Sequence, residues 1–169
     1  MISPTHGKLT MEEVAKKIID FVGNKDRHQE IEITIGTDSQ NFDKTKIVAV
    51  VVVRRVGNGG IFFYQVTHHR KINSIREKLY IETNISLKLA DDLLTVIQEM
   101  GAMKDELLND QMYINGNKVN LGIHVDAGYN GPTKQLITEI TGWVKACGFN
   151  VEIKPNSYAA SCIADKYSK

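Results

Sequence analysis

Hydrophobic and polar positions alternate along two stretches of this chain in nearly the same way. Residues 31–38 read Ile-Glu-Ile-Thr-Ile-Gly-Thr-Asp, and residues 119–126 read Val-Asn-Leu-Gly-Ile-His-Val-Asp. A period of two marks a strand with one apolar face. In the first stretch Ile31, Ile33 and Ile35 share a face, opposite Glu32, Thr34, Gly36 and Asp38. In the second, Leu121, Ile123 and Val125 oppose Gly122, His124 and Asp126. Each stretch ends on an aspartate of the smaller, more polar parity. Gly36 and Gly122, on that same parity, predict room for a helix to approach closely.

The surrounding pattern predicts the other elements. Thr10-Met-Glu-Glu13 is a capping box that opens a helix running to Gly23, with Val14, Ile18, Phe21 and Val22 at helical spacing. Asn24 to Gln29 is a polar linker. The first strand runs from about Glu30 toward Gln40, the second from Lys46 to Val56, and the third from Ile61 to His68. Gly57-Asn-Gly-Gly60 turns the hairpin between the last two. A long helix spans about Ser74 to Met100 and closes at Gly101. After a polar stretch from Met103 to Asn117, in which Asn115-Gly116 signals a small hairpin, the fourth strand covers Val119 to Val125. A helix is expected from Pro132 to Gly148, a fifth strand over Asn150 to Lys154, and a short helix over Ser157 to Tyr167. The order α-βββ-α-β-α-β-α predicts an α/β (α+β mixed sheet) fold. Its five-stranded mixed sheet is flanked by helices, with an extra N-terminal helix. Setting strand four parallel to strand one brings Asp38 and Asp126 together.

On the long helix Ile75, Leu79, Glu82, Ser86, Leu89, Leu93, Ile97 and Met100 trace one face, while Glu77, Asp91 and Asp92 lie off it. Glu82 and Ser86 interrupt an otherwise apolar stripe. A glutamate facing a core without a partner costs several kcal/mol or is forced neutral. Glu82 therefore either pairs with a cation, for which strand two offers Arg54 and Arg55, or joins Asp38 and Asp126 in a site. Asp165 lies seven residues after Tyr158 and three after Cys162, so it shares a buried face with them or stays solvated. Carboxylates that repel one another persist at a buried site when something neutralises them, and a divalent cation is the commonest answer.

Composition narrows the alternatives. With 169 residues, 42% hydrophobic and 24% charged, the chain is expected to form one domain over 1–169, with 1–29 as N-terminal helix and linker. A net charge of +1 does not announce a nucleic-acid binder, so that role needs a local basic patch. His68-His-Arg-Lys71, with Arg76 and Lys78, is the densest basic segment; it either grips phosphate or is a solvated loop. The longest apolar run, Ile47 to Val53, is too short to cross a bilayer, and the first residues lack a signal-peptide pattern. Cys147 and Cys162 are not spaced for zinc and read as reduced, mostly buried thiols. Together these predict a cytoplasmic location with no membrane partner. The loop Asp126-Ala-Gly-Tyr-Asn-Gly131 precedes a helix and offers an anion a place, but it lacks the G-K-[ST] ending of a phosphate-binding P-loop.

Three segments, Ile35-Gly-Thr-Asp-Ser-Gln40, His124-Val-Asp-Ala-Gly128 and Lys154-Pro-Asn-Ser-Tyr-Ala-Ala160, resemble the YkuK-like family of the ribonuclease H-like superfamily. The resemblance covers nearly the whole chain less the first helix. It implies a ribonuclease H-like fold and a catalytic carboxylate set. Asp38 matches a strand-one aspartate that bridges two metals, Glu82 the helix glutamate, Asp126 the strand-four aspartate, and Asp165 a final and most variable acidic position. The implied activity is a metal-dependent nuclease in which two Mg²⁺ or Mn²⁺ ions about 4 Å apart straddle a scissile phosphodiester. Ser39 and Gln40 beside Asp38, together with His124, Arg70 and Lys71, are candidate substrate-binding residues, and the partner is RNA or DNA. His124 has a second reading as a hydrogen-bonded core histidine. A basic helical protrusion that helps some ribonucleases H grip a hybrid duplex has no counterpart here, so hybrid binding is not implied. The alternative is a non-catalytic ribonuclease H-like module that binds nucleic acid. An ATP-handling role is disfavoured, because proteins of that kind use two such domains.

Overall fold

The computed structural model describes residues 1–23, 30–103 and 111–169. In chain order the elements are β1 (Ile2–Ser3), β2 (Gly7–Lys8), α1 (Met11–Gly23), β3 (Ile31–Asn41), β4 (Thr45–Arg55), β5 (Gly60–His69) and α2 (Ile75–Glu99). There follow β6 (Met112–Ile114), β7 (Asn117–His124), a 3-10 turn (Lys134–Leu136), α3 (Ile137–Ala146), β8 (Asn150–Glu152), a π-helical turn (Ala159–Ala164) and α4 (Asp165–Ser168). The linker expected at Asn24 to Gln29, and the middle of the polar stretch after the long helix, lie outside the described residues.

The local chemistry predicted from the sequence is present. Thr10 N–H donates to Glu13 Oε2 at 2.8 Å and Glu13 N–H to Thr10 Oγ1 at 3.2 Å, closing the capping box on α1. Ser74 caps α2 by accepting from Glu77 N–H, and Gly101, at φ 70°, ends that helix in the left-handed region. Asn115 and Gly116, at φ 49° and 74°, form the two-residue turn of the β6–β7 hairpin, the conformation that Asn-Gly favours.

Among the described residues the sheet holds eight strands, not the five expected. Its order is β2-β1-β5-β4-β3-β7-β6, with β8 also paired to β7. The additional strands, β1, β2 and β6, are two or three residues long, too short for a period of two to show. β1 meets β5 at Ile2–Tyr64, so β5 is not the outermost strand. The meander β3–β4–β5 is antiparallel, and β7 lies parallel beside β3 from Ile31–Val119 to Gly36–His124. Asp38 and Asp126 each follow by two residues the last position at which β3 and β7 pair, Gly36–His124. The β3–β7 register therefore delivers both to the same end of the sheet.

Each sheet face has its own core. Ile31, Ile33 and Ile35 of β3 pack with Val51 and Val53 of β4, Ile123 of β7 and the apolar faces of α1, α2 and α3. On the opposite face Val48, Val50 and Val52 pack under the C-terminal segment through Ala159 and Ala164. Gly36 makes this second layer possible. A Cβ there would stand 2.5 Å from Ala160 N and 2.8 Å from Ala159 C, both main-chain atoms. Gly122 plays no such part: a Cβ there would have Asn150 O of the adjoining strand as its nearest neighbour, at an ordinary 3.8 Å.

Two further expectations are corrected, and the C-terminal helix, present where it was expected, differs in type. No α-helix opens at Pro132. Lys134 N–H bonds to Gly131 O and Leu136 N–H to Thr133 O, a 3-10 pattern, and the α-helix starts at Ile137. The C-terminal helix is a π-helical turn followed by four α-helical residues. Cys147, the C-cap residue of α3, and Cys162, in the π-helical turn, are both exposed.

Candidate active site

At the end of the sheet where β3 and β7 finish, α2 and the loop after β7 enclose a cavity of about 660 Å³. Asp38, Glu82 and Asp126 all line it, with Ser39, Lys78 and Lys154. Three carboxylates predicted from three separate elements therefore share one cavity. They reach it from different sides. α2 packs on the isoleucine face of β3, so the polar interruptions of its stripe meet odd-numbered residues of that strand. Ser39 Oγ donates to Glu82 Oε1 at 2.5 Å, and Thr37 Oγ1 and Ser86 Oγ are 2.7 Å apart. Asp38, on the other parity, turns toward α4, where Ser168 Oγ donates to its Oδ2 at 2.6 Å. Lys154 Nζ stands 2.9 Å from the buried Oδ1 of Asp126 outside hydrogen-bonding geometry, so this pairing is ionic. Lys78 Nζ donates to Ser39 O at 3.0 Å.

The other sequence candidates are placed elsewhere. Asp165 does not line the cavity; its Oδ2 accepts from Lys169 Nζ at 2.6 Å, and Ser168 lies between it and Asp38. His124 is buried under the C-terminal segment. Its Nδ1 accepts from Ala159 N–H at 3.2 Å, and Tyr158 packs edge-on against its ring. Gln40 is exposed near the end of β3 and outside the cavity lining. Arg70 is ion-paired to Glu77 on the surface, and Lys71 is exposed beside it. The cations considered for Glu82 are engaged elsewhere: Arg54 pairs with Glu32, and Arg55 donates to Phe21 O. Lys154 and Ser168 received no role from sequence. Nothing in their local pattern separates them from solvated residues of a loop and a chain end.

Comparison with known proteins agrees with this architecture. The family model described as "Ribonuclease H-like" matches residues 13–169. The chain belongs to that family. It is also 32% identical, over 98% of its own length and 94% of the relative's, to a Bacillus subtilis (strain 168) protein named "Uncharacterized protein YkuK". No solved structure matches. Membership in the ribonuclease H-like family connects the chain to nucleic-acid chemistry in general. No helix among the described residues is long and apolar enough to cross a membrane.

Burial dominates the electrostatics of the cavity carboxylates. Burial pushes the Glu82 carboxyl up to about 8; the Ser39 hydrogen bond opposes this, and the charge of Asp38 adds to it. Asp38 is raised too, first by burial and then by Asp126 and Asp165, against the Ser168 hydrogen bond. Burial lowers His124 to about 4. Oxygen donors of this kind suit a hard divalent cation. As placed, however, no three histidine, cysteine, aspartate or glutamate side chains among the described residues converge closely enough to hold one ion. The donor set fits a cation in kind and in sharing one cavity. Entry of a cation requires it to replace Ser39, Ser168 or Lys154 as the carboxylates' partner.

A pH signature follows for the metal-free protein. Glu82 binds its proton more tightly folded than unfolded, so its contribution to stability is full below 4.5 and is lost as pH rises toward about 8. His124 works the other way: its contribution is full above 6.5 and is lost as pH falls toward about 4. Between 6.5 and 8 the Glu82 effect therefore stands without the His124 effect. In chelator, wild-type Tm should fall across that interval, and Glu82→Gln should flatten the fall and melt higher at pH 8. Parallel profiles for the two proteins would show that Glu82 is not held protonated.

Proposed function

We propose that this protein is a divalent-metal-dependent nuclease that hydrolyses phosphodiester bonds at the carboxylate cavity. The observation that carries the reading is the delivery of Asp38, Glu82 and Asp126, from β3, α2 and the end of β7, into one cavity that also holds two lysines. Asp38, Glu82 and Asp126 would hold Mg²⁺ or Mn²⁺, with two ions as the working number. Bound there, such a cation supplies Lewis-acid polarisation of a phosphoryl oxygen and makes water a competent nucleophile near neutral pH.

The chain's own groups prepare this chemistry. With a cation in the place of the Ser39 hydroxyl, Glu82 would serve as an ionised carboxylate ligand. Ser168 orients Asp38 from the outer side of the sheet. Lys154 and Lys78, which line the same cavity, would face phosphate oxygens of a bound substrate. Ile75 and Leu79 give the cavity apolar lining beside the charged groups. Asp165 stands behind Asp38 and acts on it through charge.

The second reading, a binding module without catalysis, draws on the internal partner that each cavity carboxylate already has. A cleavage panel separates the two. Single-stranded RNA, hybrid duplex, single- and double-stranded DNA and a four-way junction are incubated with Mg²⁺ or Mn²⁺, and in parallel with chelator. The nuclease reading expects metal-dependent cleavage of at least one substrate. Binding without cleavage on every substrate leaves the module.

A further inference from the structure

The cavity has a second character that the carboxylates do not explain. Of the large hydrophobic side chains that stand exposed among the described residues, Tyr129 is the most exposed, at 62%. Ile75, 48% exposed, opens α2 instead of joining the core. Both line the carboxylate cavity, one from the loop after β7 and the other from the helix. Single exposed hydrophobics are ordinary, but two from separate elements in one cavity beside charged groups are the pattern of a binding site. Tyr129 is set apart in another way. Tyr64 and Tyr167 stack on each other at 4.3 Å, Tyr80 stacks on Trp143, and Tyr158 packs against His124. Among the described residues Tyr129 has no hydrogen bond and no ring contact. Its ring has a free face beside Asn130, whose amide offers both a donor and an acceptor.

We propose that this cavity is a subsite for one unpaired nucleotide of a single strand, its base packed on Tyr129 and Ile75 and its phosphate directed to Lys78 and Lys154. The proposal rests on the nuclease reading for the place of the phosphate, but not for the place of the base. The cavity, about 660 Å³, lies within the range that encloses a small organic ligand. A base kept in a duplex stack cannot enter such a space, and extruding it costs unstacking energy that an unpaired base does not pay. Stacking on an aromatic ring tolerates any base, so the subsite selects single-strandedness more than sequence. Two lysines against three carboxylates leave no excess positive charge in the cavity. The base contact therefore carries a larger share of the grip than it does in a basic groove.

The test is binding, read separately from cleavage. Short single strands carrying 2-aminopurine at one end are titrated with the full chain, first in chelator and then in Ca²⁺, beside the matched duplex and free 2-aminopurine riboside monophosphate. Wild type should quench the unpaired fluorophore and bind the single strand more tightly than the duplex. Tyr129→Ala should weaken single-strand binding about 5- to 100-fold and lose the quenching, and Tyr129→Trp should restore both. The exposure of Tyr129 makes these variants safe for the fold, which circular dichroism checks. Equal binding of duplex, or Tyr129→Ala binding like wild type, overturns the proposal even if the protein cleaves. Tighter binding of the free mononucleotide than of the strand overturns the assignment to a strand. Binding that depends on Tyr129, with no cleavage in the metal panel, supports the subsite and sinks the nuclease reading alone.

Discussion

Asp38→Asn is expected to reduce metal-dependent phosphodiester cleavage by on the order of 10³-fold or more while leaving a folded protein that melts cooperatively. The substitution removes the charge and keeps the shape. Burial, Asp126 and Asp165 already push the Asp38 carboxyl upward, so a neutral amide relieves repulsion, and the Ser168 hydroxyl can still donate to the amide oxygen. Stability in chelator should be equal to wild type or slightly higher. The pairing of unchanged stability with lost cleavage is what separates a functional carboxylate from a structural one. Cleavage that survives in Asp38→Asn would remove this residue from the proposed machinery, and a loss of fold would reassign it to the sheet. The rates and melting curves are to be taken on one preparation.

Gly36→Ala should destabilise the fold strongly. Replacing glycine with alanine in a compatible backbone usually stabilises by a few tenths of a kcal/mol to about 1. Here the sign reverses. The new Cβ would lie 2.5 Å from Ala160 N and 2.8 Å from Ala159 C, and neither main-chain atom can swing away as a side chain would. The π-helical turn must lift from the sheet, taking with it Ala159 and Ala164, which cover Val48, Val50 and Val52. A cost of about 3 kcal/mol is expected for overpacking of this kind, which lowers Tm by roughly 6–12 °C in a chain of this size. Because α4 follows that turn, Ser168 should lose its hold on Asp38 as well, and cleavage should fall with stability. An unchanged Tm would mean that the C-terminal segment does not press on β3.

The path from sequence to these two residues was uneven, for physical reasons. The pairing of β3 with β7 was legible because each strand has one continuous apolar face, and a one-residue slip would expose it. That register alone placed Asp38 and Asp126 at the same end of the sheet. Glu82 was legible as a charge on an apolar stripe, and the structure buries it to 8% exposure. Its partner was not legible. Parity sets Ser39, not Asp38, in front of α2, and a serine hydroxyl gives no signal in a hydrophobic pattern. β1 and β2 escaped notice because two residues cannot show a period, and β6 showed only through the Asn115-Gly116 turn that follows it. Both cysteines were expected inside on residue type, yet both lie outside, since position on a helix outweighs a type preference. Lys154 and Tyr129 are the costliest omissions for the site. Both belong to segments whose shape the chain fixes through long-range packing, so their approach to the cavity is written in no local spacing.

On the proposed function, Asp38, Glu82 and Asp126 give up their internal partners to hold a divalent cation. A crystal structure grown in Mn²⁺, with anomalous data collected at the manganese edge, tests this most directly. The expected result is at least one anomalous peak in the cavity coordinated by oxygens of Asp38 and Asp126, with Lys154 displaced from Asp126 and Ser39 from Glu82. Carboxylates still bonded to Ser168, Ser39 and Lys154 in millimolar Mn²⁺, with no peak in the cavity, would contradict the claim.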